Sequence, residues 1–319
     1  MRCAITCPAM RIGVDLGGTK IEALVLDASG VELVRQRVST PRGEYAAIVE
    51  AVAALVERCE SLVGFGAMPA VRRRVGVGIP GTISPATGLV KNANTTELIG
   101  HPLDQDLATR LGCPVRIAND ANCFTLSEAI DGAVKQHGLD PRHSSVFGVI
   151  VGTGTGGGLV VNGRLVAGRN QIAGEWGHNP LPWPEEGEFP GPQCWCGKRG
   201  CIETWLSGPA LAACHLRLTG ERRTAAQIAT AAASGDGAAS ATLELYASRL
   251  ARALASVLNV FDPDAVVLGG GVSNIDVLYA AVPRLWQKYA FSDTVTTAFL
   301  RAAHGDSSGV RGAAWLWED

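Results

Sequence analysis

His178 is followed by Cys194, Cys196 and Cys201, and one imidazole with three thiolates makes a closed tetrahedral zinc site. Gly197 and Gly200 allow the tight knuckle that such close ligands require. The spacing departs from the commoner Cys-x-x-Cys pair, but free cysteines in a core usually sit singly rather than three in eight residues. With four protein ligands the metal is structural, and its task is to clamp the loop bearing Glu175 and Glu203. Asp120, within Ile117-Ala118-Asn119-Asp120-Ala121-Asn122, stands where a strand meets a helix. It reads either as a helix cap or as a base that takes a proton from a substrate hydroxyl attacking the γ-phosphorus of a nucleotide. Asn94, Asn119, Glu175, His178 and Glu203 occupy turn or glycine-rich contexts. Singly each is an ordinary loop residue; together they suit a site that reads several sugar hydroxyls.

Three glycine clusters could hold the nucleotide. In Asp15-Leu16-Gly17-Gly18-Thr19-Lys20 the missing Cβ atoms let backbone N–H groups approach phosphate oxygens, Thr19 and Lys20 add donors, and Asp15 can hold hydrated Mg²⁺. A plain Gly-Gly hairpin is the competing reading of that loop. Gly152-Thr153-Gly154 opens a longer run to Gly158, and Gly269-Gly270-Gly271 can pack against a base or ribose. Gly152 to Gly158 and Gly76 to Gly81 formally match Gly-x-Gly-x-x-Gly, but neither leads directly into a helix, so the Rossmann reading fails on context. No Walker A motif occurs. The sequence Gly-x-Ser-x-Gly is also absent, and no local Ser or Cys elbow accompanies the six histidines, so nucleophilic triads find no support.

Apolar patterning supplies the elements that must position these groups. Strands are expected at Arg11 to Leu16, Ile21 to Leu26 and Val31 to Val38, a meander with the first glycine loop at its first turn. The same grammar recurs at Val146 to Val151, Leu159 to Val161 and Arg164 to Ala167, with an Asn162-Gly163 hairpin turn. Further short strands run from Arg74 to Ile79, Val115 to Ala118 and Ala265 to Leu268; helices are expected at Glu44 to Leu62, Asp104 to Leu111 and Ala238 to Val260. Ala-rich Thr224 to Ser240 reads as a mobile surface segment. Two copies of one device, with strands alternating with helices, predict an α/β protein of duplicated domains, the layout of actin-like and hexokinase-like folds with ATP between the halves.

Length and composition bound the reading. The 319 residues suffice for two domains. A net charge of −2 and 18% charged residues suggest neither disorder nor a nucleic-acid surface. The longest charge-free stretch, Ser144 to Gly163, is too rich in glycine for a membrane span, and residues 1–10 lack the apolar run of a signal peptide. Nine cysteines, an odd number and scattered except for the cluster at Cys194, Cys196 and Cys201, suit a reducing cytoplasm with one metal site better than a disulfide framework. Met10 is a plausible alternative start, which makes residues 1–9 a dispensable extension.

The chain resembles the ROK family of repressors, open reading frames and sugar kinases, and within it the bacterial fructokinase and mannokinase branch. The matching stretches are Asp15 to Lys20, Gly78 to Thr82, Lys91 to Asn94, Asn119 to Cys123, Gly152 to Gly154, Gly174 to Pro180, the knuckle from Cys194 to Glu203, and His304 to Trp317. The resemblance implies an actin-like ATPase (ribonuclease H-like) pair of domains flanking a cleft, residues 1–118 with about 301–319 forming the smaller and 119–300 the larger. It implies ATP and Mg²⁺ as cosubstrates, Asp120 as base, Glu175, His178 and Glu203 near the sugar, zinc on His178, Cys194, Cys196 and Cys201, and a cytoplasmic homodimer. His178 then serves twice, one ring nitrogen on zinc and the other toward a sugar hydroxyl. The expected activity is transfer of the γ-phosphoryl of ATP to the 6-hydroxyl of fructose, with mannose or glucose as further substrates; N-acetylglucosamine kinase and glucokinase are the alternatives. Glu97 departs from that branch, which looks as though it should carry Trp there. A sugar-sensing repressor on the same scaffold would need a helix-turn-helix before the first glycine loop, where only fourteen residues precede Asp15. A filament-forming actin-like protein would explain the glycine loops but not the knuckle.

Overall fold

The computed structural model describes residues 10–64 and 74–317, with the side chain of residue 306 also left aside. The expected extension, residues 1–9, lies outside the described residues. The chain divides into two units, the first comprising Met1–Asp131, Ala167–Ile172 and Asp306–Asp319 and the second Gly132–Val166 and Ala173–Gly305.

The first unit contains β1 (Arg11–Leu16), β2 (Lys20–Leu26), β3 (Glu32–Ser39), α1 (Tyr45–Leu62), β4 (Val75–Ile79), β5 (Thr82–Ile83), β6 (Val90–Lys91), α2 (Leu103–Leu111), β7 (Val115–Asn119) and α3 (Asp120–Ile130). Its sheet has the order β3-β2-β1-β4-β7: an antiparallel meander β1-β2-β3, then β4 and β7 parallel to β1, while β5 and β6 form a separate small hairpin. β1, β2 and β4 are buried on both faces, which is why they read as unbroken apolar runs rather than alternating ones. α1 covers one face with Ile48, Val52, Leu55, Val56 and Cys59, at helical spacing. The last helix, α10 (Ser308–Ala314, numbered after the second unit's elements), lies against β1 and β4 and beside α3. A Cβ at Gly76 would stand 1.8 Å from the Ala313 carbonyl oxygen, so glycine there permits backbone-to-backbone approach.

The second unit contains α4 (Ala133–Gln136), β8 (Ser145–Val151), β9 (Thr155–Val161), β10 (Arg164–Leu165), α5 (Glu203–Leu206), α6 (Gly208–Thr219), α7 (Ala225–Ala233), α8 (Gly237–Phe261), β11 (Ala265–Gly269), α9 (Val277–Trp286) and β12 (Ala298–Arg301). Its sheet has the order β10-β9-β8-β11-β12, again an antiparallel meander beside two parallel strands. Strand for strand this repeats the first unit, and the expected duplicated α/β, actin-like architecture is present in both halves. One apolar core joins β8 and β11 to α5 through α9, with Trp286, Tyr246 and Phe147 among its largest side chains. Within α8, Arg249 and Arg252 are buried and bind the buried Glu188 carboxylate at 2.7 Å each, pairing charges that would be costly alone.

Three expectations change. Thr224 to Ser240 is not a mobile segment: Thr224 and Gln227 form a capping box that starts α7, which packs on α8, so its alanines are helix formers rather than linker. Gly156, Gly157 and Gly158 are strand residues of β9 instead of loop. Helix α3, expected to open the second domain, belongs to the first unit because it packs along α10.

Candidate active site

In the first unit β1 ends at Leu16, and Gly17-Gly18-Thr19 turns into β2 with the Gly17 N–H donating to the Lys20 carbonyl at 3.0 Å. The Thr40 hydroxyl donates to the Gly17 carbonyl at 2.7 Å and pins the turn from behind. Gly18 and Thr19 are exposed. Thr95, buried, has a hydroxyl without a hydrogen-bond partner among the described residues, and it lies 3.4 Å from where a Cβ of Gly18 would be. An orphaned donor under an exposed glycine turn is what a polar ligand would satisfy. Sequence reasoning missed Thr95; its only signal was its place directly after Asn94.

Asp15 pairs in register with Glu22 on β2 and Gly78 on β4. Burial, reinforced by the Asp120 and Glu22 carboxylates, pushes Asp15 up to about 6, against the pull of Lys20 and Arg37. Glu22 is itself buried and held by Arg37 at 2.7 Å and Arg35 at 3.2 Å. Asp15 and Asp120 therefore feel one another as like charges, a donor set that accepts a hydrated divalent cation.

Asp120 is the first residue of α3, at the carboxyl end of β7. The cap of that helix is Asn119, whose side chain accepts from the Ala121 N–H at 2.9 Å; Asp120 Oδ1 accepts from the same N–H at 2.8 Å. Capping is thus provided by the neighbour, and the Asp120 side chain is exposed rather than packed in the interior. Asn94 is also exposed, its N–H donating to the Pro80 carbonyl at 3.0 Å. Glu97 accepts from the Gly43 N–H at 3.3 Å.

In the second unit Gly152-Thr153-Gly154 joins β8 to β9. Thr155, next in line, carries a second buried hydroxyl lacking a partner among the described residues, so each unit places an orphaned threonine beside a glycine turn. Gly269 ends β11, and Gly270, at φ +76, would drive a Cβ to 2.4 Å from the Val151 carbonyl oxygen; the two glycine turns are neighbours at the carboxyl ends of the adjacent parallel strands β8 and β11.

Glu175 precedes a 3₁₀ turn, Trp176–His178, laid on β9. The Trp176 indole donates to the Gly156 carbonyl at 3.0 Å, and a Cβ on Gly177 would meet the Thr155 carbonyl oxygen at 2.1 Å. The glycines of β9 and of this turn thus serve close packing, which brings His178 to the knuckle and leaves Glu175 exposed. Glu203, the first residue of α5, accepts from the Thr155 N–H at 2.9 Å and from the Trp195 indole at 2.8 Å. Two of its roughly four lone-pair sites remain.

The four expected metal ligands come together. His178 Nδ1 lies 3.6 Å from Cys194 Sγ and Cys196 Sγ 3.6 Å from Cys201 Sγ; all four donor atoms fall within 4.8 Å of one another. The edge of a tetrahedron with Zn–S bonds near 2.3 Å is about 3.8 Å, so the donor set fits zinc. Hydrogen bonding from the Lys198 N–H holds the Cys196 thiol below its usual range, which favours the thiolate ligand. With Nδ1 facing the cysteines, Nε2 of His178 is left for another partner.

The ROK family model matches residues 11–319. The chain belongs to the ROK family. An N-acetyl-D-glucosamine kinase of Vibrio cholerae is 40% identical over 311 residues, covering 96% of this chain and 99% of that one. Among solved structures, a ROK hexokinase of Thermus thermophilus superposes with TM-score 0.81 at 31% identity, covering 96% of this chain and 97% of that one. A ROK glucokinase of Streptomyces griseus, solved with glucose and AMPPNP, gives TM-score 0.70 at 30% identity, with 96% and 98% covered. These relatives are sugar kinases, and the curated one names a sugar other than the fructose expected from the motifs.

Proposed function

We propose that this ROK protein is an ATP-dependent kinase that transfers the γ-phosphoryl group of ATP to the 6-hydroxyl of N-acetyl-D-glucosamine. The observation that carries the reading is the near full-length likeness, at 40% identity, to a kinase for that sugar, on a chain whose Asp120 is exposed at a strand end beside Asp15. Fructose, the reading from the motifs alone, becomes the competitor.

In this reading Asp120 accepts a hydrogen bond from the sugar 6-hydroxyl. As the hydroxyl oxygen bonds to the γ-phosphorus, its proton passes to the Asp120 carboxylate and the electrons of the breaking P–O bond leave with ADP. The Gly17-Gly18-Thr19 and Gly152-Thr153-Gly154 turns supply backbone donors to the phosphates, Lys20 a charge, and the Thr95 and Thr155 hydroxyls find the partners they lack; Gly269-Gly270-Gly271 receives the nucleoside. Mg²⁺ at Asp15, when bound, neutralises phosphate charge. Asn94, Asn119, Glu175, His178 and Glu203 orient the sugar; His178, Cys194, Cys196 and Cys201 would hold zinc, and that ligation would fix the imidazole with Nε2 presented.

A coupled ADP-release assay over N-acetylglucosamine, glucose, mannose and fructose tests the proposal. We expect kcat/KM for N-acetylglucosamine to exceed that for fructose by about a hundredfold, as a site that binds the acetamido group's polar atoms would require. A higher value for fructose overturns the sugar assignment.

A further inference from the structure

Trp195 lies between two metal ligands, Cys194 and Cys196, and is 73% exposed. It is nonetheless held in place. Its indole N–H donates to Glu203 Oε1 at 2.8 Å, and its ring meets the His178 ring edge-on at 4.9 Å between centroids, with an interplanar angle of 84°. The two aromatic side chains more exposed than it among the described residues, Phe189 and Phe291, have no such tether from their rings. A large aromatic group immobilised in solvent has already lost its rotamer freedom, so a ligand that covers it gains contact area without the ordering cost. The indole touches a carboxylate and an imidazole, both with hydrogen-bonding capacity left.

We propose that Trp195 is a sugar-stacking platform: its exposed face receives the apolar C–H face of the hexose while Glu203 and His178 take the hydroxyls at the ring edge. The inference deepens the kinase reading and rests on it. Pyranoses present one face of axial C–H groups and a rim of hydroxyls, and an aromatic plane flanked by a carboxylate and an imidazole is complementary to both at once. The indole N–H adds a second effect, because its bond to Oε1 turns the Glu203 carboxylate, whose Oε2 is tied to the Thr155 N–H. Ring and N–H can be separated by substitution. Phe at 195 keeps the plane and deletes the donor; Ala deletes both.

The test is steady-state kinetics of Trp195→Ala and Trp195→Phe on whichever hexose the wild type phosphorylates best, with zinc content and melting temperature measured on the same preparations. Trp195→Ala raises the sugar KM by about ten-fold or more, leaves the KM for ATP within about two-fold, and retains wild-type zinc; Trp195→Phe raises the sugar KM by about three-fold. Adding sugar without ATP changes the tryptophan emission of the wild type, and that change is absent in Trp195→Phe. A sugar KM unchanged in Trp195→Ala, an equal rise in the KM for ATP, or an emission change retained in Trp195→Phe each overturns the platform. If the wild type prefers another hexose, the N-acetylglucosamine assignment falls and the same KM split still decides Trp195; if it phosphorylates none, both fall.

Discussion

Asp120 and Asp15 carry the sharpest expectations at the scale of single residues. Asp120→Asn keeps the shape and loses the proton acceptor, so kcat falls by about three orders of magnitude while the sugar dissociation constant stays within about three-fold; near-normal turnover would remove Asp120 as the base. Asp15 gives a pH signature in the ligand-free protein. Its carboxyl is raised from 3.8 to about 6, so between those values the folded state holds a proton that the unfolded state has released. Stability from this group is intact below pH about 4 and is lost as pH rises to about 6. Asp15→Asn removes the penalty, and the melting temperature of the variant should exceed that of the wild type at pH 7.5 and match it near pH 4; the same difference at both values would contradict the assigned cause. Both carboxylates were legible in the sequence as residues closing short apolar strands. That Asn119 rather than Asp120 does the capping was not, because adjacent Asn and Asp compete for one N–H and only geometry decides between them.

Elements show where periodicity informs and where it stops. The β1-β2-β3 meander, α1, α8 and the Asn162-Gly163 hairpin were readable because buried strands and amphipathic helices leave apolar runs of fixed period. The glycines from 156 to 158 were read as loop because local propensity cannot reveal that another segment must lie on top of them. The turn Trp176–His178 is that segment. Gly177→Ala should therefore lower stability by about 1–3 kcal/mol, measured as a shift in the urea midpoint, since its Cβ would meet the Thr155 carbonyl oxygen at 2.1 Å; an unshifted midpoint would mean that the turn relaxes freely. The knuckle was readable from residue type alone, whereas its tie to the glycine turn, from Trp195 through Glu203 to Thr155, spans 48 residues in the second step and left no sequence trace. Cys196→Ser should lower zinc content and raise the sugar KM more than the KM for ATP, because His178 loses its anchor; full zinc content in the variant would displace Cys196 from the ligand set.

At the scale of the molecule, the repeated strand order in two units was visible as a recurring glycine-turn grammar, and it is the reason each unit offers its own glycine turn; the orphaned threonines beside those turns come from different places, Thr155 from the start of β9 and Thr95 from the loop after β6. The choice among hexoses was not visible, since discrimination between sugars depends on a few hydroxyl and acetamido contacts that any of several loop residues can supply. The motifs favoured fructose, and the full-length likeness to an N-acetyl-D-glucosamine kinase now favours the aminosugar. No helix among the described residues is long and apolar enough to cross a membrane. Phosphorus-31 and carbon-13 NMR of the product formed from ATP and N-acetylglucosamine examines the whole account at once. The account predicts one ADP per sugar monophosphate, with the phosphoryl group on O6; ADP released without a phosphorylated sugar, or a phosphoryl group on O1, would contradict it.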